Sequence, residues 1–231
     1  MATRLKVFSG NGLSASLGEL LPRFEREHDC KVDMHYAPAQ VTLREVRAGD
    51  TADLGIMGSS VMDEVVAMGK IAPASIKLLT QNGIGVGVIA GAPKPDLSSV
   101  ESFKRTLLNA KSVAYTTDGA SGIYFAGLID KLGIGNEVRA KAKTRSGGLI
   151  AEFVVSGIAE IAVQQIPEIM AVAGVDYAGP IPAEVQSISV NRIAIFKDAK
   201  NPALAQKLID YLLSADAVRV YKSRGLEPAA S

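Results

Sequence analysis

The chain has 231 residues, 48% of them hydrophobic and 21% charged, an ordinary globular composition with length for one large or two small domains. Its formal net charge of +1 excludes the polybasic field that nucleic acid or an anionic membrane surface would select. A single cysteine, Cys30, excludes an intramolecular disulfide and a cysteine-ligated metal cluster, and the absence of tryptophan weakens any stacking platform for bases or sugars.

No apolar run of about 18 residues is present, so no membrane insertion is expected. Met1-Ala2-Thr3-Arg4 leads straight into an apolar strand without the h-region of a signal peptide. The expected location is therefore the periplasm if a signal peptide has been removed, and the cytoplasm otherwise.

Leu5–Phe8 reads as a strand, Ser9-Gly10-Asn11-Gly12 as a turn of small residues, and residues 14–28 as a helix with Leu13, Leu17, Leu20, Leu21 and Phe24 on its apolar face. Cys30 stands at a strand start, as a packed small residue before the alternating run Lys31–Tyr36. A turn at Ala37-Pro38-Ala39-Gln40 leads to a helix over Val41–Ala48, ended by Gly49. Ala52–Met57 is a third strand, and Gly58-Ser59-Ser60 opens a helix over Val61–Met68, stopped by Gly69. His28 and His35 have no serine, cysteine or second histidine at a useful spacing, so neither a triad nor a metal site is predicted.

Residues 76–90 form a long extended run interrupted by Gly83, Gly85 and Gly87. Each glycine weakens a buried strand, which suggests a chain crossing between two lobes. The glycines lie inside a strand rather than between strand and helix, so they are not a dinucleotide fingerprint, and no cofactor is expected. A helix follows from Ser98 to Asn109.

Ser112–Tyr115 is a short buried strand. Thr116-Thr117-Asp118-Gly119-Ala120-Ser121-Gly122 is small and polar, and Ile123 to Leu132 recur at helical spacing until Gly133. A strand, a small-residue turn and a helix place free N–H groups of the first helical turn at the strand's carboxyl end, a ready anion site. The same device opens the chain at Leu5–Phe24, which suggests two lobes, each offering a helix N-terminus to one ligand.

A short helix near 136–142 precedes the turn Thr144-Arg145-Ser146-Gly147-Gly148 and a helix from Leu149 to Val155. Gly157–Val163 becomes a strand, and Gln164-Gln165 open the next helix. Val185–Phe196 is a return strand, Pro202 starts a helix through Leu213, and a last helix, Ala215–Ser223, precedes a loose tail. The alternation implies an α/β fold whose sheets are mixed but mostly parallel and flanked by helices.

In this order the chain resembles the periplasmic molybdate-binding proteins, within the type 2 periplasmic-binding-protein fold. The resemblance rests on Val7-Phe8 through Leu13, Arg47-Ala48-Gly49-Asp50-Thr51-Ala52-Asp53, Met62-Asp63 with Gly69-Lys70-Ile71, Gly122-Ile123-Tyr124, and Gly157-Ile158-Ala159-Glu160. It implies two lobes, 1–82 with 186–231 and 83–185, a ligand cleft between them, and crossings near 80–86 and 180–187. That family holds its oxyanion with serine hydroxyls in the first two turns, N–H groups of the Gly-Ile-Tyr turn and a tyrosine hydroxyl near the last crossover. Here Gly12 and Ala39 stand where the serines belong and Gln165 where the tyrosine belongs, so three hydroxyl donors are missing and tight molybdate binding is not expected.

What replaces them is a set of amides, Asn11, Gln40, Gln164 and Gln165, with Arg145 in its small-residue turn. Amides both donate and accept and a guanidinium forks onto a carboxylate, so the set suits an organic acid. The expected ligand-binding residues are Ser9, Gly10, Asn11, Gly12, Ala39, Gln40, Ser59, Ser121, Gly122, Arg145, Ser146, Gln164 and Gln165. Arg145 has the alternative of a solvated surface charge, Gln164-Gln165 that of a helix start facing water, and Tyr124 is expected to pack under its helix.

The resulting function is a monomeric solute-binding protein that clamps a small anion, a (poly)carboxylate, for an ABC-type uptake system whose permease is its partner, with no nucleic-acid partner. Two alternatives stay open: a molybdate-type oxyanion binder, and an isomerase acting on an unsaturated tricarboxylic acid such as aconitate, to which the resemblance extends. The acids close to the proposed site are Asp118, Glu160 and Glu168. An effector domain of a cytoplasmic sensor is a third class, disfavoured because no output module is visible.

Overall fold

The computed structural model describes residues 3–229. In chain order the strands and helices are β1 (Thr3–Ser9), α1 (Ser14–His28), β2 (Cys30–Tyr36), α2 (Ala39–Arg47), β3 (Leu54–Gly58), α3 (Ser59–Ala67), β4 (Lys77–Asn82) and β5 (Ile84–Ile89). Then follow α4 (Val100–Asn109), β6 (Val113–Thr116), α5 (Ala120–Lys131), α6 (Gly135–Ala140), β7 (Ala142–Arg145), α7 (Glu152–Val155), β8 (Ile161–Gln165), α8 (Ile166–Met170) and β9 (Val175–Pro180). The chain closes with β10 (Ser189–Ile195), α9 (Pro202–Leu212), α10 (Ala215–Ser223) and β11 (Glu227–Pro228). It divides into two compact units, residues up to Gln81 together with those from Ser189 onward, and Asn82–Ile188.

The first unit is built on a six-stranded sheet in the order β11-β4-β10-β3-β1-β2. β1 runs parallel to β2 and to β3, while β10 is antiparallel to β3. Alternation along β1 sends Leu5 and Val7 to one face, packed with Leu17, Leu21 and Phe24 of α1 and with Leu208, Leu212 and Tyr221 of the last two helices. Phe8 points the other way, into a second layer with Val61 and Val65 of α3 and with Phe196. Asp53, 4% exposed, ties these layers at the chain level: its carboxylate accepts the N–H groups of Lys6 at 2.9 Å, Lys200 at 2.7 Å and Asn201 at 3.0 Å.

The second unit has a five-stranded sheet in the order β7-β6-β8-β5-β9. β6 is parallel to β7 and β8, and β5 is antiparallel to β8 and β9. One face packs Val86, Val113, Tyr115 and Val163 against Phe103, Leu107, Phe125 and Ile129. The other packs Ala114 and Ala162 against Ile150, Val154 and Val172.

The elements expected from periodicity are found, with α1 at the expected bounds. Several differences have a physical reason. The run 76–90 is two strands broken at Gly83, and Gly85 and Gly87 belong to the buried β5 rather than to a loose crossing. A Cβ on Gly85 would come within 2.6 Å of the Tyr177 ring, and one on Gly87 within 2.9 Å of Ile169, so β9 and α8 fill the space that side chains would take. The Arg145 turn is preceded by β7, too short and polar to show an alternation. The helix from 149 shrinks to Glu152–Val155. The return strand starts at Ser189, after a 3-10 turn over Ala183–Val185. The tail expected to be loose pairs through β11, Glu227 and Pro228 opposite Gln81 and Thr80. Strand β9 carries no apolar alternation, with Asp176, Gly179 and Pro180 in six residues, and pattern reading passes over it.

Candidate functional site

In each unit three adjacent parallel strands end on the same edge, and there the chain turns into a helix or loop. Ligands of open α/β sheets gather at such carboxyl edges. In the first unit the edge belongs to β2, β1 and β3, and in the second to β7, β6 and β8.

Ser9, Gly10, Asn11 and Gly12 form the end of β1 and the 3-10 turn before α1. Ser9 is buried and its hydroxyl donates to the Gly10 carbonyl at 3.2 Å, while its own carbonyl accepts the Ala37 N–H at 3.0 Å and so draws the β2 turn alongside. Ala39 and Gln40 begin α2, with Ala39 half-buried and Gln40 exposed. Ser59 begins α3 at the end of β3; its hydroxyl donates to Val190 O at 3.1 Å and accepts Arg192 Nε at 3.2 Å. The Arg192 guanidinium also donates to Ser59 O at 2.7 Å and to Asp63 at 2.6 Å. Ser59 therefore orders this corner of the unit through protein partners. Arg192 is the cation that sequence reading missed, since it sits inside an otherwise apolar return strand.

The second edge is laced together by the main chain. The Thr117 N–H donates to Arg145 O at 2.9 Å and the Asp118 N–H to Ser146 O at 3.0 Å, so the turns after β6 and β7 lie side by side. Ser121 is buried in the first turn of α5. Gly122 could carry no side chain there, because a Cβ would overlap the Thr116 carbonyl oxygen. Tyr124 packs as expected, its hydroxyl donating to Val185 O at 2.9 Å.

Arg145 ends β7. Its guanidinium meets Glu152 at 3.0 Å, lies 5.3 Å over the Phe153 ring, and keeps a buried Nε with no hydrogen-bond partner among the described residues. Ser146 beside it is exposed. Gln164 was expected to meet a ligand, but it is 1% exposed and its amide is committed to protein groups. Its Oε1 accepts the Ile150 N–H at 3.0 Å and its Nε2 donates to Gly148 O at 2.7 Å, closing the turn after β7. Gln165, half-buried, is the extended residue that starts α8.

Of the three acids expected near the site, Glu160 lies before β8, at the opposite end of that strand, where it accepts the Lys111 N–H at 2.5 Å. Asp118 stays at the edge, half-buried, accepting the Thr117 hydroxyl at 3.2 Å. Glu168 is 9% exposed, and burial pushes its carboxyl up to about 8, against the opposing pull of the Gln165 N–H and the Gln164 amide. The signal for it was available: an acid three residues after the residue that starts a helix reaches back to that residue's N–H.

The helices at these edges leave their first N–H groups without a side-chain cap. Pro38 before α2, Gly58 before α3 and Gly119 before α5 are all extended and none caps through a side chain. Among the other helices, Ser99 caps α4, Ser214 caps α10, and Asp53 accepts the N–H groups just before α9, while α6 and α7 also start without a side-chain cap. Open N–H donors at the carboxyl edges, beside amides and a guanidinium, are what an anion needs. No group of three or more metal-ligating side chains is present among the described residues, and no helix among them is long and apolar enough to cross a membrane.

The family model of the bacterial extracellular solute-binding proteins matches residues 5–227. An aconitate isomerase from Pseudomonas sp. is 33% identical over 232 residues, covering 98% of this chain and 88% of that protein. The periplasmic molybdate-binding protein of Azotobacter vinelandii is similar in structure with a TM-score of 0.81 at 17% identity, covering 98% of this chain and 100% of that one. The sulfate-binding protein SubI of Mycobacterium tuberculosis H37Rv gives a TM-score of 0.78 at 17% identity, covering 98% of this chain and 87% of that one. At such identities the two structures share the fold.

Proposed function

Because the chain belongs to the bacterial extracellular solute-binding protein family, we propose that it binds an unsaturated tricarboxylic acid of the aconitate type and interconverts its isomers. The observation that carries this reading is the 33% identity to an aconitate isomerase along 98% of the chain. The donor set adds to it. Glycine and alanine at positions 12 and 39 and Gln165 suit a hydroxyl-rich oxyanion cradle poorly, while amides and Arg145 suit carboxylates.

Removing a proton from the methylene carbon of aconitate delocalises charge over three carbons and the attached carboxylates. The former double bond can then rotate, and returning a proton to either end of the three-carbon unit gives an isomer with no net change in atoms or electrons. Such a reaction needs donors for the developing oxyanion and a base within reach. The N–H groups at Ser121 and Gly122 with the Arg145 guanidinium are the donors in this reading, and Asp118 is the base.

A second reading, favoured by the family match over residues 5–227, is a receptor that holds the same acid without chemistry for an uptake transporter. Calorimetric titration with trans-aconitate, citrate, sulfate and molybdate, followed by incubation with cis-aconitate, separates the readings. Tricarboxylate binding with isomerisation supports the first, and binding without isomerisation supports the second. Binding of molybdate or sulfate with no response to tricarboxylates overturns both.

A further inference from the structure

Thr116 ends β6 and is 3% exposed, and its hydroxyl has no hydrogen-bond partner among the described residues. Buried threonines elsewhere are satisfied: Thr42 donates to Pro38 O at 3.4 Å, and Thr80 accepts from the Asn191 amide at 3.1 Å. The Thr116 oxygen is not sealed in either. Among the described residues, the side-chain polar atoms that are both enclosed and unpartnered belong to Ser16, Thr51, Asn82, Arg145 and Arg224, so the Thr116 oxygen reaches solvent.

Its place is the start of α5. A Cβ on Gly119 would come within 2.6 Å of Thr116 Oγ1, and one on Gly122 within 2.8 Å. The hydroxyl thus lies against the two glycines that flank the first turn, in space left open by their missing side chains. Gly119 caps the helix with no side chain, and the Ile123 N–H is the one that meets Gly119 O, at 3.0 Å. The N–H groups of Ala120, Ser121 and Gly122 therefore have no partner within the helix. In the parallel register Thr116 stands opposite Arg145, so the two side chains leave the sheet on the same face.

A hydroxyl has one proton to donate, and a buried one is satisfied in nearly every native protein. The groups that share this edge with Thr116 are donors, the N–H groups of the helix start and the guanidinium. The partner its proton lacks is an acceptor, and the positive end of the helix favours one that carries negative charge.

We propose that Thr116 is a ligand-binding residue whose hydroxyl donates to a carboxylate oxygen seated on the first turn of α5. This inference rests on the reading of the site as a tricarboxylate site and adds to it a side-chain contact at the end of β6. The proton stays on Thr116 and no bond is made or broken there: the hydroxyl holds an ionised carboxylate. It also explains why a buried hydroxyl stands there without a partner in the chain, since it serves the ligand rather than the fold.

The test is calorimetric titration of the wild type, Thr116→Val and Thr116→Ser with trans-aconitate, together with thermal unfolding of each protein without ligand. Thr116→Val keeps the branched shape at the strand end and removes the hydroxyl. Its affinity is expected to fall roughly ten- to a hundredfold, the loss of one hydrogen bond to a charged group. Thr116→Ser keeps the donor and is expected to bind within about threefold of wild type. The unliganded melting temperature of Thr116→Val is expected to be equal to or above that of the wild type, because no protein group loses a partner. Weaker binding without a loss of stability is a result that a hydroxyl serving only the fold would not give. Wild-type affinity in Thr116→Val, or affinity in Thr116→Ser as low as in Thr116→Val, overturns the proposal while leaving tricarboxylate binding intact. A markedly lower melting temperature of Thr116→Val also overturns it, because the hydroxyl would then have a partner in the protein. Absence of wild-type binding overturns it by removing the reading of the site.

Discussion

The Gln164 side-chain carbonyl accepts the Ile150 N–H at 3.0 Å, and the same side chain's amide donates to Gly148 O at 2.7 Å. One residue at the end of β8 thus fixes the turn that carries Arg145. Gln164→Leu keeps the bulk and leaves the two main-chain groups without their partner. Urea titration is expected to show a loss of about 2–4 kcal/mol, from two main-chain groups left unsatisfied in a buried setting. A loss below about 0.5 kcal/mol would mean that the turn is held by other contacts.

Gly122 sits where a Cβ would overlap the Thr116 carbonyl oxygen. Gly122→Ala must push the start of α5 off the end of β6, at a cost of about 1–3 kcal/mol or more. Thermal unfolding is expected to show the destabilisation, and trans-aconitate affinity is expected to fall beyond what the lost stability explains. Unchanged affinity in this variant would remove the β6–α5 turn from the site.

Arg145 pairs with a Glu152 side chain that is 56% exposed, so Arg145→Ala is expected to change unliganded stability by no more than about 1 kcal/mol. Its effect falls on the ligand instead. Loss of a charge-assisted pair is expected to weaken trans-aconitate binding by about 2–4 kcal/mol, and Arg145→Lys to recover part of it because the fork is lost. Calorimetry that finds full affinity in Arg145→Ala would show Arg145 to be only a partner of Glu152 and Phe153.

Glu168 also links stability to pH. Burial pushes its carboxyl up to about 8 in the folded chain. In the unfolded chain a glutamate titrates near about 4.3. Between these values the folded state keeps a proton that the unfolded state releases, so this contribution to stability is complete below the lower value. It is lost as pH rises through the folded pKa. The urea midpoint is expected to be higher at pH 5 than at pH 8.5 in the wild type, and the difference to shrink in Glu168→Gln. Identical slopes in the two proteins would assign the pH dependence to other groups.

The helices and the strands with clear apolar alternation were legible in the sequence, because α1 and β1 place their core residues at regular intervals. Strands β7 and β9 were not: Lys143 and Thr144 are exposed, and β9 mixes Asp176, Gly179 and Pro180, so neither shows a period. The glycines of β5 misled for a related reason. Their space is filled by Tyr177, Ile169 and Val175, which lie 82 to 92 positions away and announce nothing locally. At the candidate site the turns were legible as small polar stretches between strand and helix. The commitment of the Gln164 amide to Ile150 and Gly148 was not, since composition cannot tell a donor facing a ligand from one facing the main chain.

Isomerisation is tested most directly by following cis-aconitate with the purified protein by proton NMR, with heat-denatured protein and Asp118→Asn as controls. The vinyl signal of trans-aconitate is expected to grow to an equilibrium mixture in the presence of the wild type, reached from either isomer. Asp118→Asn is predicted to bind the acid and leave it unchanged. No interconversion by a wild type that binds the acid would contradict the isomerase and leave a receptor, and no binding of either isomer would contradict the tricarboxylate site itself.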